Sequence, residues 1–172
     1  MDSASVNFAV GFEGSATGPT WNPDLTDTIS RQVVLTALAG SGKQIYETFR
    51  TALTVAAGAT TTLDLTTGLT NTLGESISGA EAFVHVYAVL VVHNSESAAS
   101  TITAFNAAAN AFQGPKGVGD ADTLGPGRWT SYGVPANLTG WAVDATHKNI
   151  AIVNNDGANA ATVNVLVIGS TS

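Results

Sequence analysis

Residues 83 to 93 read Phe-Val-His-Val-Tyr-Ala-Val-Leu-Val-Val-His, and no other stretch of the 172-residue chain limits its folding so tightly. Five valines with two aromatics favour extended backbone, because β-branched side chains are stiff at χ1 and pack well on a pleated surface. No capping residue and no polar stripe at helical spacing supports a helix. The run is apolar on both parities. Val84, Val86, Ala88, Leu90 and Val92 fall on one side, and Phe83, Tyr87, Val89 and Val91 on the other. A strand in a two-sheet sandwich normally carries one apolar face, so the second must be covered by another subunit, an arm or a helix. Phe83, Tyr87, Val89 and Val91 are the expected interface residues on that second face.

The rest of the chain supports a β-fold around this strand. Further strands are expected at 28 to 38, 44 to 55, 60 to 65, 101 to 105, 141 to 143, 149 to 153 and 161 to 168, all rich in Thr, Val, Ile or aromatics. In 44 to 55, Ile45, Phe49, Leu53 and Val55 share one parity, and Tyr46, Thr48, Arg50 and Thr54 the other; Glu47 breaks the pattern. Asn154-Asn155-Asp156-Gly157 tolerates positive φ and is the best hairpin turn available. Residues 106 to 135 read as a long Gly-rich loop, with one helical turn at most around its Ala-rich start, and a loop of that length is usually functional or interface-forming. Residues 1 to 26 scatter Gly, Pro, Ser and Thr between isolated aromatics, which suits an extended N-terminal arm anchored through Phe8, Phe12 and Trp21. The expected fold is all-β: an antiparallel β-sandwich of jelly-roll type over residues 27 to 172, with that arm in front.

Composition narrows the partners. A chain of this length can bury roughly 70% of its unfolded surface, so a core forms without staples, and with no cysteine there are no disulfides and no thiolate chemistry. Six basic residues against 13 acidic ones give a net charge of -7, and the basic ones are dispersed, which argues against nucleic acid as a partner. No apolar run is long enough for a membrane helix, and Met1-Asp2-Ser3 lacks the start of a secretory leader. Charged residues are only 11% of the chain, against about 25% in ordinary soluble domains. A surface so poor in charge suits permanent contact with neighbouring chains. A Thr- and Ser-rich extracellular domain is the plainer alternative.

Several constellations invite a chemical reading, and each has a simpler one. Ala39-Gly40-Ser41-Gly42-Lys43-Gln44 resembles a phosphate loop but has Ala37 where the first Gly belongs and Gln44 where a hydroxyl should hold magnesium. His85 and His93 are too far apart on one strand to share a metal. His147 near Asp144 could form a hydrolytic triad only with a Ser or Thr, and no nucleophile elbow accompanies them. Asp120 and Asp122 offer too few oxygens for calcium. Asn137-Leu138-Thr139 fits a glycosylation acceptor. Trp129, Tyr132 and Trp141 could stack on sugar rings, or fill the end of a sandwich. Trp129 and Tyr132 are also interface candidates. No catalytic residue, cofactor or metal is expected.

Three stretches carry a family resemblance: Asp64-Leu65-Thr66-Thr67-Gly68-Leu69-Thr70, then Gly140-Trp141-Ala142-Val143, and the closing segment from Ile150 through Asn154 to Val167-Ile168-Gly169. Over residues 60 to 169 the chain resembles small β-rich virion proteins of tailed bacteriophages, of the capsid decoration or cement type. That resemblance implies a place on the capsid exterior, often as a trimer, tying major capsid protein subunits together without catalysis. A tail or fibre component, and a receptor- or glycan-binding β-module, are the alternatives.

Overall fold

The computed structural model describes residues 3–14, 25–36, 46–71, 74–95, 97–117, 119–134 and 139–171, with backbone alone for 3–14, 25–36, 46, 47 and 106. The chain divides into two compact units, Met1–Ser41 and Gly42–Ser172. In the first, β1 (Ser3–Gly14) and β2 (Leu25–Thr36) pair antiparallel, with Ser3 opposite Thr36 and Gly14 opposite Leu25. The strand expected at 28 to 38 therefore groups with the N-terminal unit, although composition alone assigns it to the sandwich.

The second unit is an antiparallel β-sandwich. Its eight main strands are β3 (Tyr46–Val55), β4 (Thr60–Asp64), β7 (His85–His93), β8 (Ile102–Asn106), β9 (Ala121–Leu124), β10 (Trp129–Gly133), β12 (Asn149–Asn154) and β13 (Ala161–Ser170). Three short pieces, β5 (Leu69–Thr70), β6 (Ser76–Ile77) and β11 (Trp141–Ala142), and a 3-10 turn at Gly79–Glu81 fill the connections. The main strands pair as nested partners, first with last: β3 with β13, β4 with β12, β7 with β10, β8 with β9. Two further ladders, β13 with β7 and β12 with β8, close this ribbon into the sheets β10-β7-β13-β3 and β4-β12-β8-β9. A long antiparallel ribbon rolled into two sheets, the first with β11 added beside β7 as a fifth strand, is the jelly roll that the spacing of strands predicts.

The core lies between the sheets. Val89, Val91, Val163, Val165 and Val167 face Leu63, Ile102, Ala104, Ile150 and Ile152, and all belong to one apolar cluster. At about 25 cal/mol per Å² of apolar surface removed from water, each such side chain stabilises the fold by roughly 1.5–3 kcal/mol. His93, fully buried, is accommodated because Nδ1 lies 3.1 Å from the Leu124 carbonyl and Nε2 lies 3.0 Å from Ser100 Oγ. A carbonyl only accepts, so Nδ1 carries the proton toward Leu124.

Strand parity is broken once, and the break matters. The β13–β7 register shifts at Ile168/Gly169: Ile168 faces Ala88 but Gly169 faces Val86, leaving Tyr87 as the extra residue of a bulge. Val86 consequently turns inward with Val89 and Val91 and is fully buried. Gly169 is required here, since a Cβ would collide with the His85 carbonyl oxygen and the Phe83 ring. A second irregularity is Phe105, which sits at φ 85° with its ring buried and edge-on to Tyr132 at 5.6 Å. A bulky residue in the left-handed region costs on the order of 1–3 kcal/mol, and burial of the ring offsets it.

Two expectations need correction. Asn154-Asn155-Asp156-Gly157 does not close a hairpin, because β12 and β13 lie in different sheets and the turn crosses between them. Asn154 holds that crossing: its Nδ2 donates to the Val55, Ala56 and Asn159 carbonyls at 3.1, 3.1 and 2.8 Å. The supposed loop at 106 to 135 contains β9 and β10. Their alternation is disguised because Asp122 and Tyr132 occupy inward positions as a polar pair, with Tyr132 Oη donating to Asp122 Oδ2 at 2.6 Å.

Candidate functional site

The outward face of the sheet β10-β7-β13-β3 is defined by register. One row across it reads Trp129, Val92, Asn164, Ala52; the next reads Ser131, Leu90, Leu166, Arg50; the third reads Gly133, Ala88, Ile168, Thr48. The two central strands carry apolar side chains apart from Asn164, and the edge strands carry small or polar residues apart from Trp129. Arg50 is the one ionised group in these three rows, and no carboxylate stands among them, although the chain as a whole has 13 acidic residues. Leu90, Val92 and Leu166 are half-buried, while Ala52 and Ser131 are exposed. Trp129 is 40% exposed and is one of two large hydrophobic residues so open among those described. An apolar, acid-free patch of this kind is how interaction surfaces differ from ordinary solvent-facing sheet.

This assigns the two parities of residues 83 to 93 differently from the sequence-based expectation. Phe83, Val89 and Val91 belong to the domain's own core, and Tyr87 is buried at the bulge with its hydroxyl 3.4 Å from Ser170 Oγ. The domain's own core, not another subunit, covers Phe83, Val89 and Val91. The opposite side bears Leu90 and Val92, which are half-buried, and Ala88, which is buried. Leu166, half-buried, Ala52, exposed, and Ile168, buried, complete that side and went unnoticed in the sequence. The signal available was that 161 to 168 turns apolar on both parities near its end.

The remaining candidates are dispersed. Phe8 and Phe12 fall on β1, paired with Arg31 and Asp27 along the backbone, but their side chains and all of Trp21 lie outside the described residues. So do the loop at 39 to 44 and Asn137. The three aromatics proposed for sugar stacking do not converge. Trp129 is on the outward face, Tyr132 opposes Val89 on the inward face, and Trp141 is partly buried with its ring 6.3 Å from Phe112.

Asp122 accepts from Lys116 at 2.7 Å, Tyr132 at 2.6 Å and Thr130 at 2.9 Å, and Lys116 Nζ also sits 5.4 Å from the centre of the Tyr132 ring. Burial alone would raise the Asp122 carboxyl, but the bonds from Lys116, Tyr132 and Thr130 outweigh it and hold it below the ordinary carboxylate value. Its oxygens are therefore engaged in pinning β9 to β10. Among the described residues no group of three or more His, Asp or Glu side chains is placed to hold a metal ion.

Asp144, Thr146 and His147 meet on one exposed turn. His147 Nδ1 lies 3.0 Å from Asp144 Oδ2 and 3.1 Å from Thr146 Oγ1, and Thr146 donates to Asp144 at 2.7 Å. In a hydrolytic relay the imidazole uses one nitrogen for the acid and the other for the nucleophile. Here a single nitrogen touches both, and the hydroxyl is spent on the same carboxylate. His147 and Thr146 hold the Asp144 carboxyl well below the usual range, as a turn-stabilising anion. His85 and His93 end opposite extremes of β7, and His93 has both ring nitrogens occupied. No protein-family model matches this chain, and no curated protein sequence matches it.

Proposed function

We propose that this chain is a structural virion protein that binds the outside of a tailed-bacteriophage capsid and braces contacts between shell subunits, with the major capsid protein and copies of itself as partners. The observation that carries this reading is the acid-free apolar face of β10-β7-β13-β3 on a chain with unusually few charges. A free monomer gains nothing from leaving Leu90, Val92, Leu166 and Trp129 in contact with water, whereas a subunit of an assembly removes them from it. The jelly roll is compatible, being used in capsid and lectin domains alike, and so decides nothing by itself. The resemblance over residues 60 to 169 supplies the choice of phage particle, and with it a trimer.

Weak contacts suffice in such a setting, because a shell presents many copies of the partner at high effective concentration. The test is occupancy. Purified shells lacking the chain are incubated with it, and bound copies are counted by imaging and gel densitometry. Saturable binding to the shell exterior, lost in Leu166→Asp, is the expected result. Absence of binding to shells, or density confined to tails, would overturn the capsid reading. A glycan-binding module would want Trp129, Tyr132 and Trp141 on one platform, and their separation onto different surfaces disfavours it; a glycan array on the pure chain is expected to be blank.

A further inference from the structure

We infer that the ladder of β1 and β2 is a self-association surface, pairing through its apolar face with the same face of a second copy turned end for end. The inference concerns the unit Met1–Ser41 and does not depend on the capsid reading. Among the described residues this ladder has two strands and no third. Opposite residues of an antiparallel pair share a face and neighbours along a strand alternate, so register sorts the positions into two sets. On one face every position is apolar except Gly14, Asp27 and Arg31. On the other, Ala9 and Val34 stand among Ser, Thr, Asn, Gln, Gly and Glu. A two-stranded ladder is marginal at best in water until something packs on its apolar face.

The two ions on the apolar face identify what packs there. Arg31 shares a row with Phe8 and Asp27 a row with Phe12, and the same-face row between them is Val10 with Ile29. Both ions belong to β2, four residues or about 14 Å apart, too far to pair within one copy. Under an apolar cover each would be a buried charge without a partner. An acidic or a basic surface would match one and oppose the other. A second copy of the same face matches both, provided it runs antiparallel about a two-fold axis that crosses the strands at the Val10 row. That axis lies between the two faces, keeps β1 over β1 and β2 over β2, and reverses the order of rows. Position 31 of one copy then stands over position 27 of the other, and position 8 over position 12, so each arginine meets an aspartate and each phenylalanine a phenylalanine. A two-fold axis parallel to the strands fails, because it sets position 12 over position 27 and leaves both carboxylates without a cation.

A contact of this kind uses one patch twice and closes at two copies. In a trimeric particle it would tie copies of different trimers, since three ladders cannot all pair within one. The overlapping rows run from Val6 to Gly14, about 27 Å along the strands and two strand spacings wide, or roughly 260 Å² of projected face per copy. That is well short of the roughly 800 Å² per partner of a standard stable interface. The pair is therefore weak in dilute solution, with a dissociation constant of about micromolar or higher, and strengthens where copies are concentrated on a surface.

Charge exchange tests this directly. Full-length Arg31→Asp and Asp27→Arg proteins are studied singly, mixed in equal amounts, and as the double swap, by sedimentation velocity and native mass spectrometry at up to millimolar concentration. Each single variant sets like charges against each other in a symmetric pair, so its self-association should fall at least tenfold. The mixture restores opposite charges at both contacts, and a heterodimer within a few-fold of the parent pair in strength should appear. The double swap should pair as the parent does. Rescue of this kind needs both charges in one contact between copies, which a ladder packed on its own chain or on another protein does not provide. A parent that stays monomeric, single variants that associate like the parent, or a mixture no better than its components would overturn the inference. Shells take no part in the experiment, so its failure leaves the capsid reading standing, and loss of shell occupancy leaves this result untouched.

Discussion

The inner and outer faces of β10-β7-β13-β3 are written in nearly the same amino acids, yet they have opposite fates. Inward, Val89, Val91, Val165 and Val167 lie at 0–2% exposure beneath the sheet β4-β12-β8-β9. Outward, Leu90, Val92 and Leu166 alternate with them along the same two strands and remain only half-buried. A protein that needed only to fold would place Thr or Lys at the outward positions, as it does at Thr54 and Thr162 beside them. The difference teaches that apolar content within one strand serves two separate ends, a core and, in the proposed function, a surface for other molecules.

Substitutions that set one face against the other should separate these ends. Val91→Asp buries a carboxylate without a partner and should cost at least ~4 kcal/mol, leaving little folded protein; Leu90→Asp, one residue away, should cost within about 1 kcal/mol. Urea titration of both checks this, and equal losses would mean that the faces are not different in kind. Gly169→Ala comes next. It forces a methyl against the His85 carbonyl and the Phe83 ring, so a loss of about 2–3 kcal/mol is expected. A neutral result would remove the bulge that turns Val86 inward.

Asp122→Asn should cost about 1 kcal/mol at neutral pH, the carboxylate being partly solvated. Because its folded-state value is depressed, its contribution is full above the ordinary carboxylate value of 3.8 and drains away as pH falls through the lower folded one. The variant should therefore lose less stability than the parent on acidification below pH 3.8, measured by thermal melts across that range. The smallest effect is expected for Trp129→Ala. Stability should stay within about 0.5 kcal/mol of the parent, while shell occupancy measured by gel densitometry declines.

The sequence made the skeleton of the sandwich readable because β3, β4, β7, β8, β12 and β13 carry β-branched residues in runs too consistent for loops. The pairing of first with last strand was not legible, because Asn154-Asn155-Asp156-Gly157 reads as a hairpin joining β12 directly to β13, whereas the two lie in different sheets. What stayed hidden has specific causes. β9 and β10 are short, and Asp122 and Tyr132 satisfy each other at inward positions where a pattern search wants apolar residues. The bulge at Tyr87 inverts parity within one strand, and no local residue announces it, since Gly169 sits on the partner strand 82 positions along. The site was half legible: a strand apolar on both sides did point to a second apolar face. Which face was the core could not be settled from β7 alone, because that depends on the sheet that packs against it. Leu166, Ile168 and Ala52 join Leu90 only through register.

Hydroxyl-radical footprinting of the dilute chain and of the same chain assembled on shells tests the central claim most directly, because Trp129 and Val84 are equally exposed, at 40%, and Val84 lies outside the three rows. Oxidation of Trp129 and Leu166 should fall several-fold on assembly while Val84 is labelled as before. Unchanged labelling of Trp129 in the assembled state would contradict the account.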